Sequence, residues 1–130
     1  MTAANIDAHR VVASPASLDR ATWPQWADVL RIAADEALVI HEVGADSVAP
    51  VVDDPHAIIE PESGFVELEW GDIELLKRIT RHLEWSLPTK RPALAQGLVA
   101  GVPCKVWLEA DDTVRLFCST SHVHELEARL

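Results

Sequence analysis

Tyrosine is absent from this chain of 130 residues, and cysteine (two), phenylalanine (two), methionine (one) and glycine (five) are scarce. Two cysteines cannot build the disulfide framework of a small secreted domain. The glycines at 44, 64, 71, 97 and 101 make neither a phosphate-cradling loop nor a dinucleotide fingerprint, so no nucleotide site is indicated. No serine sits in a Gly-x-Ser-x-Gly elbow. Positive charge is short as well. Eleven basic against 21 acidic side chains leave a formal charge of -10, which repels nucleic-acid phosphates and anionic lipid and argues against both as partners. Long apolar runs are missing, and Met1 to Asp7 lacks the basic and apolar regions of a secretory signal; the expectation is a cytoplasmic protein with no membrane span.

What is present is enough apolar material, 48% of residues, to bury the core of one domain. The clearest local pattern surrounds Asp111-Asp112. Val102, Cys104, Val106 and Leu108 alternate on one side of it, and Val114, Leu116 and Cys118 on the other. A turn centred on Asp111 sets Leu108 beside Val114, Val106 beside Leu116 and Cys104 beside Cys118, whereas a slip of one residue opposes Leu108 to Arg115. The two cysteines can reach each other in this register. On an inner apolar face in a reducing compartment, they read as buried free thiols.

Val29 to Ile32 and Ala37 to Val43 form a first hairpin about Ala33-Ala34-Asp35-Glu36, with Leu30 and Ile32 expected on the same face as Ala37 and Val39. Gly44 to Pro61 reads as a loop with one short strand. Gly64 to Trp70 alternates with Val66, Leu68 and Trp70 inward, and Gly71-Asp72 breaks it. Asp72 caps a helix over about 72–83, with Ile73, Leu76, Ile79 and Leu83 on its apolar side. Leu94 to Ala100 is a further strand. Ser121 caps a last helix over about 121–130, with Val123, Leu126 and Leu130 inward. Residues 1–22, including Ser14-Pro15-Ala16-Ser17, read as an irregular arm, and 23–130 as a single α+β domain with a mostly antiparallel sheet.

Candidate chemistry is thin. His122-Val123-His124-Glu125 gathers possible ligands, but histidines two apart on a helix point in nearly opposite directions, so a surface helix start is the plainer reading. Cys104 is too apolar in setting for a nucleophile. Asp53, Asp54, Glu60, Glu62, Glu67 and Glu69 lack calcium-loop spacing and read as a solvated acidic face. No catalytic, cofactor-binding or metal-binding residue is therefore expected. A small enzyme using His122, His124 and the acidic loop stays open as a minor alternative.

The five tryptophans are the more suggestive feature, since this side chain is over-represented at interface hot spots. Trp107 falls opposite Arg115 on the face away from Val106 and Leu108. There it either stacks under the guanidinium or is buried by something on that second face. Trp23 and Trp26 flank Pro24 near the arm and either anchor a partner or cover the domain's own sheet. Trp23, Trp26, Trp107 and Arg115 are the partner-interface candidates.

Three segments carry a family likeness. Val29-Leu30-Arg31-Ile32-Ala33-Ala34-Asp35-Glu36-Ala37-Leu38-Val39-Ile40 resembles a strand, Ala-Pro-Asp-Glu turn and strand, with Ala34 in the usual proline position. Gly64 to Leu83, followed by Glu84-Trp85-Ser86-Leu87-Pro88, resembles a strand, glycine break, helix and short acidic-apolar stretch. Gly97 to Leu130 is similar in order and length to the closing strands and helix. Together they resemble the γ subunit of heterotetrameric sarcosine oxidase, a relative of the aminomethyltransferase-type folate-binding fold. Ile58-Ile59-Glu60-Pro61-Glu62-Ser63-Gly64 stands where that family has an Asp-Leu-Ser strand.

The resemblance implies a small bacterial-type subunit of an oxidoreductase complex with no cofactor of its own. Any flavin (FAD or FMN), NAD or folate would belong to larger flavoprotein and folate-binding subunits acting on N-methylated amines. The alternative, from charge alone, is a free-standing acidic inhibitor or immunity-type protein that covers a basic surface on its partner.

Overall fold

In the computed structural model the described residues are 2–41, 49–69, 72–111 and 113–130, and the side chains of 72 and 73 fall outside the description. They form nine strands in two antiparallel sheets with three helices, an α+β fold dominated by strands. The chain divides into two compact units, one of Ile6–Ser63 and one of Met1–Asn5 with Gly64–Leu130.

Residues 2–20 hold three regular elements, where an irregular arm over 1–22 is expected from the sequence. They supply β1 (Thr2–Asn5), β2 (Ala8–Val12) and α1 (Pro15–Arg20). Helix α1 starts by ordinary rules. Ser14 is its N-cap, accepting from the Ser17 amide at 3.2 Å, and Pro15 opens its first turn.

The Ile6–Ser63 unit is a four-stranded sheet in the order β3-β4-β2-β5, with β3 at Asp28–Ala33, β4 at Glu36–Ile40 and β5 at Ile58–Glu62. One face packs Val11, Ala37 and Val39 against Ala13 and Leu18, the latter from α1. The first hairpin is present but its faces differ from expectation. Ala33 pairs with Glu36, then the register shifts so that Arg31 pairs with Ala37 and Leu30 with Leu38. The extra residue, Ile32, is a bulge, and a bulge moves every later side chain to the opposite face. Leu30 therefore shares its face with Leu38, and Val29 with Val39.

The second unit is a five-stranded sheet in the order β1-β6-β9-β8-β7, with β6 at Phe65–Glu69, β7 at Ala93–Val99, β8 at Val102–Leu108 and β9 at Val114–Ser119. The β8–β9 register pairs Cys104 with Cys118, Val106 with Leu116 and Leu108 with Val114, as strict alternation dictates. β7 and β8 join through a two-residue turn in which Ala100 and Gly101 have φ of 50° and 78°, the left-handed pair that hairpin twist favours.

Helices α2 (Asp72–Arg81) and α3 (Val123–Arg129) cover one sheet face. α2 buries Leu75 and Ile79, a pair four apart, with Leu76 and Leu83 at the margin; the expected stripe omits Leu75. α3 buries Leu126, flanked by Val123 and Leu130. Its entry is a 3-10 turn at Thr120–His122, capped by Ser119, whose hydroxyl accepts from the Ser121 amide at 3.3 Å. Ser121 is thus inside the turn and Ser119 is the cap. The expectations for Val43, Gly44, Trp70, Gly71, Asp112, the Asp72 cap and the Ile73 side chain lie outside the described residues. Among the described residues no helix is long and apolar enough to cross a membrane.

Candidate functional site

The β6-β9-β8-β7 sheet has a second face, opposite the helices. Alternation there sends Leu94, Gln96 and Leu98 of β7, Lys105 and Trp107 of β8, Arg115 and Phe117 of β9, and Phe65 and Glu67 of β6 to the same side. Trp107 pairs with Arg115 on one flank and with Leu94 on the other, and is half-buried. The register also places Glu67 opposite Phe117, one step diagonally from Arg115. Arg115 forks onto that carboxylate, with Nε 3.0 Å from Oε2 and Nη2 2.8 Å from Oε1, while its guanidinium carbon lies 5.2 Å from the Phe117 ring centre.

Lys105 extends the same pattern. Its ammonium donates to Gln96 Oε1 at 2.8 Å and sits 5.4 Å from the Phe65 ring centre. The face is therefore a layer of aromatic rings with two cations held in place over them. Phe117 is itself fully buried, and Arg115 and Glu67 are only 19% and 13% exposed, so the half-buried Trp107 and Lys105 and the edge residue Leu98 are the more open members of this layer. At its β7 edge Leu98 stays 55% exposed.

Trp23 and Trp26 belong to the other unit. Trp23 packs on the Val11–Val39 core. Trp26 stacks on His41 with ring centres 4.6 Å apart. Both are half-buried and cover their own sheet. The four interface candidates thus fall into two groups: Trp107 with Arg115 on one sheet face, Trp23 and Trp26 on the sheet of the other unit.

A recess of about 530 Å³ lies between the end of α2 and the β7–β8 turn, lined by Arg81, His82, Trp85, Gln96, Leu98 and Gly101 among others. Trp85 forms one wall. Its indole N–H donates to the Leu98 carbonyl at 2.9 Å, and its ring passes under Gly97, where there is no side chain to block it.

The remaining chemistry-bearing residues disperse. Cys104 and Cys118 are buried free thiols, pushed up to about 12 and about 11 respectively, in each case chiefly by burial. His124 is exposed, with Nδ1 3.9 Å from Glu127. Asp54 is a loop staple: it accepts from the amides of Ser14 and His56 at 2.8 and 2.9 Å, and these bonds hold its carboxyl below the usual range. Glu67 is bound to Arg115, and Glu60 and Glu62 flank Arg10 on neighbouring strands. Asp53, Asp54, Glu60 and Glu62 belong to the Ile6–Ser63 unit and Glu67 and Glu69 to the other. Among the described residues no group of three or more His, Cys, Asp or Glu side chains is placed to hold a metal ion.

One pairing had no local signal. His9 and His41 lie 32 residues apart in sequence and meet in the sheet, with Nδ1 of one 2.6 Å from Nε2 of the other. No short motif announces such a pair.

Comparison of the chain with protein-family models, with curated proteins and with solved structures gave no match.

Proposed function

We propose that this chain is a non-catalytic small subunit of a flavin- and folate-linked amine oxidase complex of the sarcosine type, contributing packing surface to larger subunits. The observation that carries the reading is the second face of the five-stranded sheet. Half-buried Trp107 stands there beside an arginine already fixed by Glu67 and by an aromatic ring. Tryptophan and arginine are among the side chains most enriched at binding hot spots, and the arginine is held here by its bonds to Glu67. The similarity in element order to the γ subunit family gives the reading its particular partners. Flavin and folate sit in those larger chains under this proposal, and the substrate is an N-methylated amine.

Isolation of the tagged chain from its native host tests this. The expected result is co-purification with a larger polypeptide that carries bound flavin, visible in its absorption spectrum. Isolation with a basic toxin or nuclease and no flavin would favour the second reading, an acidic inhibitor or immunity-type protein, for which the formal charge of -10 speaks.

A further inference from the structure

Within the Ile6–Ser63 unit, His9 on β2 stands opposite Val39. The next residue on that face of the neighbouring strand is His41, directly after β4, whose amide donates to the Asp7 carbonyl at 2.8 Å. The two rings meet edge to face with centres 4.8 Å apart, and the Trp26 indole lies on His41 at an interplanar angle of 21°. His9 and His41 are only 6% and 5% exposed. Nδ1 of His41 has no hydrogen-bond partner among the described residues.

A 2.6 Å separation between ring nitrogens requires a hydrogen on one and a lone pair on the other. Two neutral rings meet that condition, and so does one imidazolium facing one neutral ring. Two imidazolium rings do not, because both facing nitrogens then carry hydrogens and both rings carry charge. We propose that His9 and His41 form a proton-operated latch, closed while the pair holds at most one positive charge and forced open, with loss of the Trp26 stack, when both rings are charged.

The surroundings favour the closed form. Burial and the neighbouring His9 hold the His41 imidazole below its ordinary value, while Asp7 pulls the other way. Asp28, across from Ile40 at the start of β3, and Glu62, across from Ala8 on β5, project from the face of the sheet opposite the two rings, and Pro61 rather than a carboxylate stands across from His9 on β5. Arg10, the next residue along β2, is committed to Glu36. For a histidine whose folded value is lowered, the contribution to stability is complete above the unfolded value of about 6.5 and is lost as pH falls through the folded value. The latch therefore opens in mild acid.

The test uses the full chain. Imidazole NMR shifts of His9 and His41 are followed from about pH 8 to 4.5, and thermal midpoints at about pH 7 and 5 are compared between wild type and His41→Phe, which keeps a ring against Trp26. The expected result is that the two rings do not titrate independently and that the His41 imidazole stays neutral below its ordinary value. The midpoint of the wild type should also fall more between the two pH values than that of the variant. Independent titration of both rings near 6.5, or an equal fall in the variant, would overturn the proposal. If His41→Phe does not fold, the wild-type NMR titration decides alone.

Discussion

Arg115 holds Glu67 by two hydrogen bonds across neighbouring strands, at 3.0 and 2.8 Å, with side chains only 19% and 13% exposed. Removing one partner strands the other in a dry setting. Arg115→Ala is expected to lower the stability of the chain by about 1–3 kcal/mol in urea denaturation. Replacing both residues by methionine should recover most of that loss, because the apolar pair leaves no uncompensated charge. A double replacement as damaging as the single one would contradict this account of the pair.

Cys104 and Cys118 give a prediction in pH. Their folded values, about 12 and about 11, lie above the ordinary 9.0 because burial disfavours the thiolate. A group raised on folding contributes stability that is complete below the unfolded value and is lost as pH climbs toward the folded one. Stability should therefore decline above about pH 9, and Cys104→Ala with Cys118→Ala should flatten that decline. In the native state at neutral pH both thiols should react with an aromatic disulfide reagent only as fast as the protein opens. Immediate labelling of both would show them to be accessible.

Gly97 and Trp85 are matched in shape. A methyl group at Gly97 would lie 2.8 Å from Cε2 and Cζ2 of the indole. Gly97→Ala is expected to destabilise by about 1–3 kcal/mol. The penalty should shrink in a Trp85→Leu background, where the thinner side chain leaves room. An undiminished penalty would place the strain elsewhere.

Trp107 separates assembly from folding. If it anchors a partner, Trp107→Ala should weaken capture of that partner by about 2 kcal/mol or more, roughly thirtyfold. The melting temperature of the isolated chain should move little. A loss of stability in the isolated chain that matches the loss in binding would assign Trp107 to the fold alone.

Much of the second unit was legible in the sequence. The β8–β9 register follows from unbroken alternation around a tight turn, where any slip would bury Arg115 against Leu108. The first hairpin shows the limit of the same reasoning. Both of its faces are rich in apolar residues, so the pattern does not penalise a shift, and the bulge at Ile32 takes it. β1 and β2 carry little signal of their own because each is short and owes its form to distant strands, β1 to β6 and β2 to β4 and β5. The signal for α1, Ser14 followed by Pro15, is present, but the helix is only six residues long and shows no apolar periodicity to set it apart from irregular chain. Of the interface candidates, the cross-strand pairing of Trp107 and Arg115 was visible in the spacing, whereas the fork from Arg115 to Glu67 was not, since it depends on β6 lying beside β9. The His9–His41 pair depends likewise on β2 meeting β4.

The most direct test of the proposed role is native mass spectrometry of the endogenous chain purified in high salt. The account predicts that the 14.3 kDa polypeptide is found in one complex with larger flavin-bearing subunits, because an interface buried through tryptophan resists screening. Recovery of the chain alone under those conditions, with its partner lost as salt rises, would contradict it.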